Sequence, residues 1–563
     1  MYTYSNMNRT STRKDPLLNT ETYTYDNNGN LATVLDRNSQ TTYTYDALNR
    51  RTKATFQDGT STNYTYDGGN RITQVQEKNA GGTVTATITR TYDGLDRLTQ
   101  EVTPEGTVNY TYDNASRRAT MTVVGQTQVT YSYDNANRLT TITQGTDTVT
   151  IAYDDADRRT SVLYPNTNKI EYGYNAASEL TSLTYKQGAT TLGDLTYTYD
   201  AAGNRIKVGG SFARTNLPPA LATTNYNANN QQTTFGTTTE TYDLNGNLAT
   251  TTDAGVTTTY TWNARNQLTG ISKTGFTASF TYDSFGRRTG RTVNGVVTNY
   301  VYDGLNPVQE KNGATVTANL LTGLGIDEFF TRTDSVGVRS LLPDALNSTV
   351  ALGDGTGTLQ TQYTYEPFGI TSQTGAASTN SYKFTGREDD GTELMYYRAR
   401  YYQPRLQRFI SEDPSGFLGG DVNMYAYVLN RPLNYNDPYG LEPSPYQCPS
   451  TPVPPCPCLD YLDRYLNHLD QYLINVGPYA AALAGGLWPK SWAPATSGRG
   501  PLLGSSNSLT SVPRALGIPG AGSTAARTIS SGIGLATVGI GFYNIGVMGS
   551  GLIYAVPSAC NCD

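Results

Sequence analysis

Two short stretches carry residue types from which acid–base chemistry is made: Asp413-Pro414-Ser415-Gly416 and Asp437-Pro438-Tyr439-Gly440. Two carboxyls held close cannot both ionise, so they share a proton; one can then activate water while the other protonates or polarises a carbonyl. Both stretches are also good β-turns, with Pro at the second position, and spacing alone favours that reading. Few other residues compete. His468 is the only histidine, so no histidine triad or histidine-based metal cluster can be assembled in the residues before it. It lies in a Leu-spaced run, 459–469, that reads as an amphipathic helix with an ordinary surface histidine. The cysteines Cys448, Cys456, Cys458, Cys560 and Cys562 all fall in the last quarter of the chain. Cys-x-Cys pairs without an adjacent histidine are a weak signal for a metal site and read more simply as disulfides of an oxidising compartment. Neither a cofactor nor a metal is expected.

The elements that must position these residues follow from a repeat. Tyr-Asp pairs end at Asp26, Asp46, Asp67, Asp93, Asp113, Asp134 and Asp154, at intervals of 20, 21, 26, 20, 21 and 20. Further copies end at Asp200, Asp243, Asp283 and Asp303, with Tyr174-Asn175 and Trp262-Asn263 as degenerate members. In Tyr43-Thr44-Tyr45-Asp46-Ala47-Leu48-Asn49-Arg50 the alternation sets both rings on one face of a strand, and Asp with the following small polar residues turns the chain. One β-hairpin per repeat accounts for the period, whereas Thr, Asn and Gly at these densities exclude helix. A lone hairpin cannot bury its aromatic face, so neighbours must pair edge to edge into a long antiparallel strip. Tyr and Asp recur everywhere, which favours rungs and turns over carbohydrate-stacking platforms. Composition agrees: 44 Tyr against 13 Phe and 3 Trp, 56 Gly, and only 16% charged residues in 563.

The units Tyr-x-Tyr-Asp-x-x-x-Arg/Asn, as in Tyr64-Thr65-Tyr66-Asp67-Gly68-Gly69-Asn70-Arg71, resemble the YD repeats of Rhs proteins, toxin-complex C subunits and teneurins. Downstream, Tyr365-Glu366-Pro367-Phe368-Gly369, Phe384-Thr385-Gly386-Arg387-Glu388, Tyr396-Tyr397-Arg398-Ala399-Arg400-Tyr401-Tyr402, Arg408-Phe409-Ile410-Ser411-Glu412-Asp413-Pro414 and Asn436-Asp437-Pro438-Tyr439-Gly440-Leu441 look like an Rhs-associated core domain in unbroken order. The resemblance implies an all-β strip spiralling into a hollow shell, closed at one end by a core that cuts its own backbone after Asp-Pro-x-Gly-Leu. Carried over, the scissile bond is Leu441–Glu442, the catalytic aspartates are Asp413 and Asp437, and the essential arginine is Arg400. The expected domains are a YD-repeat shell, 1–362; the core, 363–441; a Pro-rich linker, 442–458; and a variable, partly helical effector-like tail, 459–563.

The net charge of −6 gives the shell no footprint for nucleic acid. The tail has no charged residue from Thr528 to Cys562, which allows a membrane contact by 528–562 or a buried segment. About 40 strands at ~4.8 Å spacing and ~23 Å length enclose a lumen of only about 10⁴ Å³, somewhat less than the tail needs, so the shell should be small, open or incomplete. The expected cargo is the chain's own tail, with an N-terminal shell or delivery partner and an immunity protein as further partners. Met1-Tyr2-Thr3-Tyr4 already reads as repeat sequence with no secretory signal before it. The chain is therefore expected to be a piece of a longer protein or to reach the bacterial exterior without a cleaved signal. The alternative functions are a cell-surface binding or adhesion protein without an active effector, and an inactive remnant.

Overall fold

The computed structural model describes residues 1–220 and 223–445; the expected linker beyond Pro445, the tail helix, His468, the cysteines and the 528–562 stretch lie outside the described residues. Among the described residues the helical segments are three short 3-10 turns, Phe384–Gly386, Gly416–Gly419 and Val428–Asn430. The rest of the regular structure is antiparallel sheet. A 20-stranded sheet runs from Tyr2–Tyr4 to Arg205–Gly209 and a 16-stranded sheet from Thr224–Tyr226 to Thr371–Gly375. Within each, successive strands pair antiparallel with their chain neighbours. The strip is thus interrupted once, between Gly209 and Thr224, where Pro218 and Pro219 have no N–H to give to a ladder. Strand pairing in the second sheet continues past Tyr363 as far as Gly375.

The Asp134 repeat explains why the motif has this composition. Asp134 Oδ1 accepts the N–H groups of Ala136 and Arg138, both at 2.9 Å, and Asn137 takes the left-handed backbone that closes the turn, φ 64°. Arg138 Nε donates to Asp134 Oδ2 at 2.7 Å, while its Nη1 reaches forward to Asp154 O at 2.9 Å and Asp157 Oδ1 at 2.8 Å in the next turn. The guanidinium also covers the ring of the next repeat's tyrosine; in six successive pairs the separation is between 4.5 and 5.1 Å.

Beside every such turn the register slips by one residue, as between Ser132 and Tyr133 opposite Thr141 and Leu139. A bulge of this kind leaves a backbone group unpaired. The next tyrosine supplies the partner: Tyr153 donates its hydroxyl to Leu139 O at 2.9 Å, and Tyr133 donates to Arg118 O at 2.9 Å. In the degenerate copy Trp262 does the same with Nε1, at 2.8 Å from Leu248 O.

The inner ring of a Tyr-x-Tyr such as Tyr110 is buried beside Val108, while those of Tyr23, Tyr43 and Tyr64 are half-buried; Thr111 between the tyrosines is exposed and meets Thr120 across the strands at 2.7 Å. The inner faces converge. Val301, Val308, Leu321, Phe330 and Leu342 of the second sheet share one apolar cluster with Val108, Ile142, Ile170 and Leu195 of the first. Ion pairs stitch the same junction: Glu101 with Arg287 at 2.8 Å, Asp303 with Arg118 at 2.5 Å, Glu328 with Arg159 at 2.8 Å. Burial alone would raise the Glu101 carboxyl, but Arg287 and Arg90 together hold it down to about 2.

A C-terminal module follows the second sheet. Its four-stranded sheet, from Glu388–Asp389 to Arg408–Phe409, sets Leu394, Tyr396, Tyr401 and Ile410 against Leu248, Leu268, Ile271 and Phe280 of the second sheet. Asp390 is buried between Arg288 and Arg291, and Glu412 pairs with Arg37 of the first sheet at 2.6 Å. The module is therefore anchored to both sheets.

If the tyrosine hydroxyl satisfies the bulge carbonyl, Tyr133→Phe should free Arg118 O at a cost of about 1 kcal/mol. The expected outcome is roughly fivefold faster native-state hydrogen exchange in strands Arg118–Val123 and Val129–Tyr133. Unchanged exchange there would mean that water serves the carbonyl equally well.

Candidate functional site

Three segments of the C-terminal module meet around one guanidinium. Arg400 opens the strand Arg400–Gln403, and its planar group lies 3.6 Å from the ring centroid of Phe409. From that stacked position Nε donates to Gly440 O at 2.5 Å and Nη1 to Met424 O at 3.0 Å. Nη2 is shared by two carboxylates, Asp413 Oδ2 at 2.9 Å and Asp437 Oδ2 at 3.3 Å. Arg400, Asp413, Asp437 and Leu441 are all buried. The structure thus brings together the three side chains and the peptide bond singled out in the sequence.

Both Asp-Pro-x-Gly stretches are turns as well. Gly416 N–H donates to Asp413 O at 2.9 Å, and Gly440 N–H to Asp437 O at 3.4 Å. The turns aim the two carboxyls differently. Asp437 Oδ1 accepts the N–H of Leu441 at 2.9 Å and the N–H of Glu442 at 3.3 Å, so one oxygen touches the nitrogen of the Leu441–Glu442 bond. Asp413 Oδ1 accepts the Ser415 N–H at 2.7 Å and also bonds the Ser415 hydroxyl, which in turn lies 3.4 Å from Leu441 O. One carboxyl therefore addresses the amide side of the peptide, and the other the carbonyl side.

Burial raises Asp437 to about 6; Arg400 and the Leu441 N–H pull the other way, and Asp413 adds to the rise. Asp413 is also raised, by burial first, with Arg400 and Ser415 opposing. The Glu442 carboxyl is raised by burial and by the two aspartates beside it. Between the carboxyls and Leu441 is a small cleft, bordered by Gly419, Met424 and Leu429, with room for about one water molecule. The geometry offers an ionised acceptor, a proton-sharing partner, a water-sized space and a peptide bond.

Sequence reasoning missed the supports. A Cβ on Gly419 would lie 2.5 Å from Asp413 Oδ2 and 2.8 Å from Leu441 O, so glycine leaves the room in which carboxyl and carbonyl face each other. Arg398 holds the carbonyl of Pro438 while bonding Asp327 Oδ1 at 2.6 Å in the loop before strand Phe329–Asp334 of the second sheet. Glu412, next to Asp413, is tied to Arg37, 375 residues away. Only Gly440 carried a signal, as the last residue of a Pro-x-Gly turn.

Comparison with known proteins adds relatives to this geometry. The Teneurin YD-shell family model matches residues 166–432, and the RHS Repeat model matches 25–56 and 92–128. Toxin subunit YenC1 of Yersinia entomophaga is 43% identical over 95 residues, 16% of this chain and 10% of its own length. The tRNA nuclease WapA of Bacillus subtilis is 38% identical over 98 residues, 16% of this chain and 4% of its own. Toxin protein Tse5 of Pseudomonas aeruginosa is 36% identical over 99 residues, 17% and 7% respectively. Among solved structures, the crystal structure of TcdB2-TccC3 aligns with a TM-score of 0.56 at 17% identity, covering 78% of this chain and 30% of that one. The likeness to that structure is one of fold. The matched segments span a tenth or less of the length of these curated relatives.

Two glycines with the same backbone test how tightly the loop is held. Gly440 and Gly391 both have φ +71°, but a Cβ on Gly440 would lie 2.2 Å from Tyr397 O, whereas nothing lies within 4 Å at Gly391. Gly391→Ala should cost only the left-handed penalty of about 1 kcal/mol, and Gly440→Ala clearly more, read as the drop in melting temperature of each. Equal drops would show that the loop around Asp437 yields freely.

Proposed function

A chain that carries Rhs repeats and a teneurin-type YD shell is an Rhs/YD-repeat protein, and from that premise we propose that it houses or presents its own C-terminal segment and frees it by cutting between Leu441 and Glu442. The observation that carries the reading is the convergence of Arg400, Asp413 and Asp437 on that peptide bond. Asp437 is the base: one oxygen accepts two N–H groups and the other accepts Arg400, three donors that favour the ionised form and leave one lone pair of Oδ2 to take a proton. Asp413 is the acid, because the Ser415 hydroxyl beside it can accept as readily as donate. Arg400 Nη2 bridges both carboxyls, and the guanidinium cannot itself lose its charge.

In this scheme water in the cleft attacks the Leu441 carbonyl carbon and gives its proton to Asp437. Asp437 already touches the Glu442 nitrogen and passes the proton there as the bond breaks. The cargo is the segment 442–563. Relatives named as toxin subunits, a tRNA nuclease and a toxin protein favour an effector in that position outside the bacterial cell. A solved complex titled TcdB2-TccC3 favours a delivery partner. The charge-free stretch 528–562 makes a membrane the tail's target in this reading, so the released segment should discharge dye from liposomes while the 1–441 fragment does not.

Freshly purified full chain should give two masses that meet at Leu441 and Glu442. Asp413→Asn and Asp437→Asn should each leave one uncut chain, and Arg400→Ala should cut more slowly. Because the base must be ionised and its carboxyl is raised to about 6, cleavage should fall as the pH drops through about 6. Efficient cutting by both Asn variants would remove the dyad, and an uncut wild-type chain would leave the shell as a surface binding protein.

A further inference from the structure

Ser415 is fully buried, and its hydroxyl stands between the Asp413 carboxyl and the carbonyl oxygen of Leu441, 3.4 Å from the latter. We infer that Ser415 is a third catalytic side chain of the self-cleavage reaction, relaying the proton of Asp413 to the scissile carbonyl. The inference rests on the self-cleavage reading and gives Ser415 a part in the proton transfer itself.

A serine hydroxyl has one hydrogen and can serve only one acceptor at a time. When Asp413 is ionised, the hydroxyl donates to its Oδ1. When Asp413 is protonated, the acid donates to Ser415 Oγ, and the serine hydrogen turns to Leu441 O. The protonation state of one residue therefore selects where the hydroxyl points. Ser415 Oγ is a side-chain donor within reach of Leu441 O. The Ser415 amide is fixed on Asp413 Oδ1 at 2.7 Å, and the Gly416 N–H closes the turn on Asp413 O at 2.9 Å. The bare α-carbon of Gly419 completes the pocket, so the hydroxyl has little freedom to point elsewhere.

The steps balance. As water attacks the Leu441 carbon, its proton goes to Asp437; the C=O π pair moves to oxygen, which takes the Ser415 hydrogen while Ser415 takes that of Asp413. A tetrahedral diol forms, with Asp413 ionised and Asp437 protonated. Asp437 then protonates the Glu442 nitrogen, the carbon–nitrogen bond breaks, and one hydroxyl proton returns through Ser415 to Asp413. Products are the Leu441 carboxylic acid and the Glu442 amine, with both aspartates restored and no other reactant needed than one water.

The test is cell-free synthesis of the full chain, with the cut fraction followed over time and folding judged by protease resistance of the 1–441 body. Ser415→Ala should slow cutting on the order of a hundredfold, as loss of one donor to a developing oxyanion does. Ser415→Thr, which keeps the hydroxyl, should recover most of the rate. The residual activity of Ser415→Ala should also extend to higher pH, because Asp413 loses a hydrogen bond that favours its ionised form. A well-folded Ser415→Ala that cuts at the wild-type rate overturns the relay. Should that variant not fold, Ser415→Gly decides on the same scale. A wild-type chain that never cuts refutes the self-cleavage reading instead, so the two failures are distinct.

Discussion

Each bulge beside a Tyr-Asp turn leaves a backbone carbonyl outside the ladder, and the rest of the structure depends on the tyrosine hydroxyl that reaches it from the following repeat. Leu31 O receives Tyr45, Leu98 O receives Tyr112, and Leu268 O receives Tyr282. A buried carbonyl without a partner costs on the order of 1–3 kcal/mol, and the same defect recurs at every repeat. Phenylalanine would fill the space but not meet this need. That is the physical reason tyrosine so outnumbers phenylalanine in this chain, and why tryptophan, with its own N–H, can stand in at position 262.

The arginine of each repeat makes the same dependence run forward. Its guanidinium closes its own turn on Asp, binds the next turn's carbonyl and covers the next tyrosine. Propagation is therefore nearest-neighbour in character, as expected of a repeat array. The contacts that bring the two sheets together are different in kind. They bury charges, as in Glu101 between Arg90 and Arg287, and buried charges are tolerated only when paired. Such pairs fix which turn of the second sheet meets which strand of the first, a matching that apolar contact alone would leave loose.

These two kinds of contact separate what could be read from the chain from what could not. The turn aspartate, its arginine and the alternating tyrosines lie within eight residues, so period and composition disclose the hairpins. Glu101 and Arg287 are 186 residues apart, and no local pattern links them. The same holds at the site. Asp413, Asp437 and Arg400 could be named only through resemblance to a known family, and their meeting depends on Phe409, Met424 and Gly440 holding the arginine in place. Ser415 was invisible because a serine after Asp-Pro is an ordinary turn residue; its reach to Leu441 O is set by the fold.

The site reuses the device that builds the repeats. In the repeat, Asp134 accepts backbone N–H groups two and four residues on and pairs with an arginine of its own turn. Those bonds outweigh partial burial and hold its carboxyl below the usual range. Asp413 accepts the N–H two residues on, and Asp437 the N–H four residues on, so each keeps part of the same turn chemistry. What changes is the arginine. Arg400 comes from a separate strand, is itself buried, and divides one nitrogen between two carboxyls. Half a guanidinium each cannot offset complete burial, and the carboxyls rise rather than fall. An aspartate that only turns the chain and the Asp413–Asp437 pair thus differ here first by burial and then by the sharing of a single cation.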